Sequence, residues 1–102
     1  MAGDPGYRLR LGSSLDGGRL IVSPQISAPA GAKLRYEMSS TKEGGAGKSS
    51  TSQSGAFTVG AEGSAKLSTL TLSAGPKDRY VIKVKVFEGK KLVAEEVLRH
   101  PR

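Results

Sequence analysis

The chain contains no cysteine, no tryptophan and no asparagine, and its one histidine, His100, stands two residues from the end. Without cysteine there are no disulfides, no thiolate metal sites, no sulfur nucleophile and no thiol redox chemistry. A single histidine cannot build a metal site or a proton relay alone, so His-dependent catalysis is not expected, and neither a metal nor another cofactor is implied. No apolar run approaches the length that crosses a membrane. Met1-Ala2-Gly3-Asp4 offers neither a basic start nor an apolar segment behind it, so no secretory leader is read. A mature secreted chain behind a new Met would look the same, and the compartment stays open.

The 102 residues suffice for one domain, 1–102, with one modest core. Residues 1–6 read as a flexible N-terminal segment. The charge balance is basic, 16 Lys and Arg against 9 Asp and Glu, a net charge of +7. Such a field attracts anions, whether nucleic acid, anionic lipid or an acidic protein, without choosing among them.

The dominant hydrophobic period is two. Tyr80, Ile82, Val84 and Val86 alternate with Arg79, Val81, Lys83 and Lys85; Leu34, Tyr36 and Met38 alternate with Lys33, Arg35 and Glu37. Leu70 and Leu72, and Tyr7, Leu9 and Leu11, repeat the pattern. Successive side chains of a strand face opposite ways, so each run has one buried and one wet face. Turn-forming Gly and Pro clusters separate the runs. About seven strands follow, near 7–12, 18–27, 32–41, 49–59, 64–73, 79–88 and 91–99, which predicts an all-β, immunoglobulin-like sandwich of two antiparallel sheets. Pro24 demotes part of its run to an edge or a bulge. The last run, with Leu92, Val93, Glu96, Val97 and Leu98, also fits a helical face; the tight hairpin read at 87–92 favours a strand. Asp78-Arg79-Tyr80 follows a Gly-Pro turn, where sandwiches of this kind often place a tyrosine whose hydroxyl bonds back to the preceding turn.

One segment invites an enzymatic reading. Residues 42–51, KEGGAGKSST, end like a phosphate-binding loop. That loop needs a Gly five residues before the Gly-Lys-Ser, and position 42 is Lys42. It also needs a helix to follow, and Ser-rich, strand-like sequence follows instead. Residues 42–48 therefore read as a flexible Gly-rich loop between strands. The carboxylates Asp16, Glu95 and Glu96 show no spacing suited to a catalytic pair. A binding protein with no small-molecule substrate is the better class.

The outward strand positions are rich in cations. Lys33, Arg35, Lys83 and Lys85, with Lys90 and Lys91 on the hairpin beyond, fall on strands that share a sheet in an immunoglobulin-like order, and would form one basic patch. Arg8, Arg10, Arg19 and Lys66 would decorate the other sheet. Solubilising charge and lysines that block strand pairing account for the same residues without function. Nucleic acid finds thin support: of five aromatics most fit inward positions, leaving Phe87 as the exposed candidate, and no recognition helix or nucleic-acid motif is present.

Ser52-Gln53-Ser54-Gly55-Ala56-Phe57, then Leu67-Ser68-Thr69-Leu70-Thr71-Leu72, then Gly75-Pro76 leading to Arg79-Tyr80, resemble the bacterial curli assembly proteins of the CsgC-like family, CsgH among them. The resemblance covers residues 31–86 and more loosely the ends. It implies a small periplasmic sandwich that keeps the curli subunit from forming amyloid before export; a monomer is expected. CsgC carries a Cys-x-Cys pair that has no counterpart here, so a redox role does not transfer. No binding residues transfer either. The basic patch, with Lys33, Arg35, Lys83, Lys85, Lys90, Lys91, Arg8 and Arg10 as candidate client contacts, is read from charge alone. A generic secreted interaction domain without an amyloid client is the alternative. The chain does not resemble an amyloid subunit: it has no repeat and no Asn, only Gln25 and Gln53, and a high net charge.

Overall fold

The alternating runs become eight strands: β1 (Arg8–Asp16), β2 (Arg19–Ser27), β3 (Lys33–Gly44), β4 (Gly47–Thr58), β5 (Ser64–Lys66), β6 (Leu70–Ser73), β7 (Arg79–Glu88) and β8 (Lys91–His100). The computed structural model describes residues 6–44 and 47–101. One sheet has the order β4-β3-β7-β8; in the other, β2 pairs with β1 on one side and with β5 and β6 on the other. All pairings are antiparallel. The expected two-sheet sandwich is the fold, and the last run is a strand.

The core lies between the sheets. Leu20, Val22, Pro24 and Ile26 of β2 face Leu34 and Met38 of β3 and Tyr80, Ile82, Val84 and Val86 of β7, all buried. Each fully buried aliphatic side chain contributes roughly 1.5–3 kcal/mol, so these central strands hold the sandwich together. The one buried polar residue among those described, Ser40, is satisfied by Thr51 Oγ1 at 3.1 Å.

Three expectations need correction. The run at 64–73 is two strands, not one. Pro24 is the cause: of the edge or bulge read for it, the edge is wrong, because it sits in a central strand, while the pairing toward β5 and β6 shifts by one residue across it. Its carbonyl accepts from Leu67 N–H at 2.9 Å, so the amide hydrogen it lacks would have pointed to the same side. The ladder breaks there, between Gln25↔Lys66 and Val22↔Leu70, while pairing with β1 on the other side is continuous. The loop expected at 42–48 is mostly strand: β3 runs through Gly44, β4 begins at Gly47, and these two residues pair. Two ion pairs lie at this end, Lys48 to Glu43 at 3.2 Å and Lys42 to Asp78 at 3.7 Å. Residues 45 and 46 lie outside the described residues, as do residues 1–5 of the expected N-terminal segment.

The tyrosine at the start of β7 behaves as its position suggested. The Tyr80 hydroxyl donates to the carbonyl of Ser73, the last residue of β6. The intervening turn is closed by Asp78 N–H to the Gly75 carbonyl at 3.1 Å and by Gly75 N–H to Asp78 Oδ2 at 2.9 Å. A second tyrosine also crosses the sandwich: the Tyr36 hydroxyl lies 2.8 Å from Ser68 Oγ, in the gap between β5 and β6. Its ring runs under Gly55, where an added Cβ would stand 3.0 Å from Tyr36 Cε1. The Gly of the Gln-Ser-Gly-x-Phe motif thus makes room for a ring, and Phe57 flanks that ring with centroids 6.4 Å apart.

Candidate functional site

Antiparallel register fixes which side chains share the outer face of the β4-β3-β7-β8 sheet. Ala56, Arg35, Phe87 and Leu92 stand in one row; Ser54, Glu37, Lys85 and Glu95 in the next; then Ser52, Ser39, Lys83 and Val97; then Ser50, Thr41, Val81 and Arg99. Lys33 lies beyond the first row and the trio Lys48, Glu43 and Arg79 beyond the last. The pattern is asymmetric. The β4 side carries serines, the β7 side lysines. Small side chains beside long ones leave an open groove of about 490 Å³, lined by Glu37, Met38, Ser39, Ser52, Gln53, Ser54, Lys83 and Lys85.

The cations of this face fall into two groups. Arg35 bonds Glu37 at 2.7 Å, Lys48 bonds Glu43 at 3.2 Å, and Lys85 lies 3.9 Å from Glu95. Lys33, Arg79, Lys83 and Arg99 have no carboxylate partner among the described residues, and all four are exposed. Lys83 is the one of these that lines the groove. Seven cations against three carboxylates leave the face positive; in the groove Glu37 and the neighbouring Glu95 offset part of the charge of Lys83 and Lys85, and the unpaired Lys33, Arg79 and Arg99 lie outside it.

The eight predicted contact residues do not form one surface. Lys33, Arg35, Lys83 and Lys85 share this outer face. Lys90 lies in the β7–β8 turn and Lys91 opens β8, at one end of the sheet. Arg8 and Arg10 are exposed on β1, in the opposite sheet, where register sets Arg10 beside Gln25 and Gln25 beside Lys66. Phe87, the aromatic left for base stacking, has the Arg35 guanidinium 4.8 Å from its ring centroid, so its outer face is already covered. Sequence reasoning missed the serines of the groove and the cations Arg79 and Arg99. The signal was available in part: pairing the 32–41 and 49–59 runs as a hairpin puts Ser52 and Ser54 opposite Ser39 and Glu37.

Comparison with known proteins agrees with this architecture. The family model described as thin aggregative fimbriae synthesis protein matches residues 8–97. No curated protein matches the chain. Among solved structures, R. palustris CsgH is 25% identical over 90% of this chain and 90% of its own, with a TM-score of 0.70. E. coli curli protein CsgC is 23% identical over 94% of this chain and 99% of its own, with a TM-score of 0.74, and this likeness concerns the fold. The matched segment begins at the first residue of β1 and ends within β8, enclosing both sheets and the whole groove: the chain belongs to the CsgC-like family of thin aggregative fimbriae synthesis proteins.

Proposed function

We propose that this protein is a periplasmic, chaperone-like inhibitor of curli subunit amyloid formation, which captures the disordered subunit transiently on the outer face of the β4-β3-β7-β8 sheet. The single observation that carries this reading is the groove beside Lys83 and Lys85, on a face whose cations outnumber its carboxylates. Family membership supplies the curli context. The client is taken as a polar, acidic, unfolded chain. A rigid basic surface meets such a chain by long-range attraction and releases it quickly, which delays nucleation without a stoichiometric complex. No catalytic step, metal or cofactor is asked of the protein, and it works as a monomer.

The test is a fibre-formation time course of a curli subunit with and without this protein. The lag should lengthen at low salt, and the effect should fade as the Debye length shrinks from about 10 Å at 0.1 M to about 3 Å at 1 M salt. Lys83→Glu combined with Lys85→Glu, both on the exposed side of β7, should abolish most of the extension while the circular dichroism spectrum stays that of the parent. An unaltered lag with the unmodified protein at low salt removes the chaperone reading. Full inhibition by the double variant moves the site elsewhere, with Arg8 and Arg10 next.

A further inference from the structure

Edge strands normally carry a safeguard against pairing with other chains: brevity, a bulge, a proline or a charge. Four of the sandwich's outer strands have one. β1 bears Arg8, Arg10 and Asp16 and lies against β8. β5 and β6 are 3 and 4 residues long. β8 has a register shift beside Val86 and Phe87, bears Glu95, Glu96 and Arg99, and lies against β1. β4 has none of these beyond its second residue, Lys48. It is 12 residues long, GKSSTSQSGAFT, with no proline and no charge after Lys48. Its ladder with β3 runs without a register shift from Lys33↔Thr58 to Gly44↔Gly47. Among the described residues, its backbone bonds to no segment other than β3. In an antiparallel pair, alternate residues turn both N–H and C=O away from the partner, so β4 presents a row of unused donors and acceptors.

We propose that β4 is a docking edge at which an extended, acidic, proline-free segment of the client adds as a fifth strand of the sheet. This rests on the preceding reading of client capture and assigns it a second contact. Charge selects the occupant. A second copy of this chain would bring another +7 to the same edge. An acidic segment is instead drawn by Lys83 and Lys85, two strands in from β4. With strands spaced by about 4.8 Å, an added strand lies roughly 14 Å from β7, beyond direct ion pairing but within reach of steering at low salt, where the Debye length is about 30 Å at 0.01 M. Attraction to the face delivers the segment, and backbone bonds then hold it. The side chains of β4 are small and mostly Ser, Thr and Gly, so pairing demands little of the client's sequence. A strand held on this sheet takes up the sheet's twist, which a flat fibril stack does not share.

The experiment follows backbone amides. The isotopically labelled protein is mixed with a synthetic acidic peptide of about twelve Ser, Gln, Gly and Asp residues, or with a twin interrupted by a central proline. Alternate amides within residues 49–58 should exchange about tenfold or more slowly with the first peptide and not with the twin, while β1 and β8 amides stay unchanged. Equal protection by both peptides, or none in β4, overturns the proposal. Protection that appears without peptide and grows with protein concentration assigns the edge to a second copy and overturns it as well. In the lag assay, Ser50→Pro and Thr51→Pro are compared, because one of these neighbours directs its amide outward; the variant that keeps the parent spectrum is used. It should lose at least about half of the lag extension. If the unmodified protein lengthens the lag and this variant does so equally, the docking edge alone fails. If the unmodified protein does nothing, the chaperone reading fails, and the peptide exchange still decides the edge.

Discussion

The two sheets solve the same problem unequally. In one, four strands of 10 to 12 residues pair along their length. In the other, one missing amide hydrogen at Pro24 divides a partner strand into runs of 3 and 4 residues. The broken side is tied down from across the core: Tyr36 of β3 reaches Ser68 in the gap, and Tyr80 of β7 reaches Ser73 at the end of β6. Where a ladder cannot run continuously, side-chain hydroxyls from the intact sheet take over part of its work. The long sheet therefore holds its neighbour in place and also presents the charged face.

That division can be tested by substitutions of decreasing weight. Ile82→Ala removes a fully buried side chain from the middle of β7 and should cost about 3 kcal/mol in denaturant unfolding. A loss below about 1 kcal/mol would mean that the long sheet is not the mainstay of the core. Tyr80→Phe deletes only a hydroxyl and should cost about 1 kcal/mol. Its signature is regional: amide exchange should quicken in β6 more than in β7. Uniform acceleration would break the comparison between the sheets. Arg35→Ala should have the smallest effect, below about 1 kcal/mol, because Arg35 and Glu37 are both roughly half exposed and such pairs are weak, even with the Phe87 ring beneath. A larger thermal shift would show that the outer face contributes to stability as well as to charge.

Much of the fold was legible because its central strands obey a strict period. In β7 the inward positions Tyr80, Ile82, Val84 and Val86 are all apolar and buried, and three of its outward positions are cationic, so both core and face could be read from 79–86 alone. Tyr80 was legible because a Gly-Pro turn precedes it. β8 was ambiguous for a physical reason: the bulge opposite Phe87 buries the consecutive residues Val93 and Ala94, which interrupts the alternation and imitates a helical face. The division of 64–73 was hidden because its cause lies some forty residues earlier in the chain, in Pro24. The site was legible only as charge. Which lysine is paired and which is free depends on cross-strand register, and register set Glu95 beside Lys85 while leaving Lys83 opposite Val97.

Pro24 has one more consequence, which concerns the unfolded chain. Residues 20–26 hold Leu20, Ile21, Val22 and Ile26, the kind of apolar, β-prone run that stacks readily into fibrils. A proline in that run cannot donate to the next layer of a stack, so the stretch makes a poor seed when the domain opens. Under the proposed function, the same proline keeps this stretch out of a client's fibril stack.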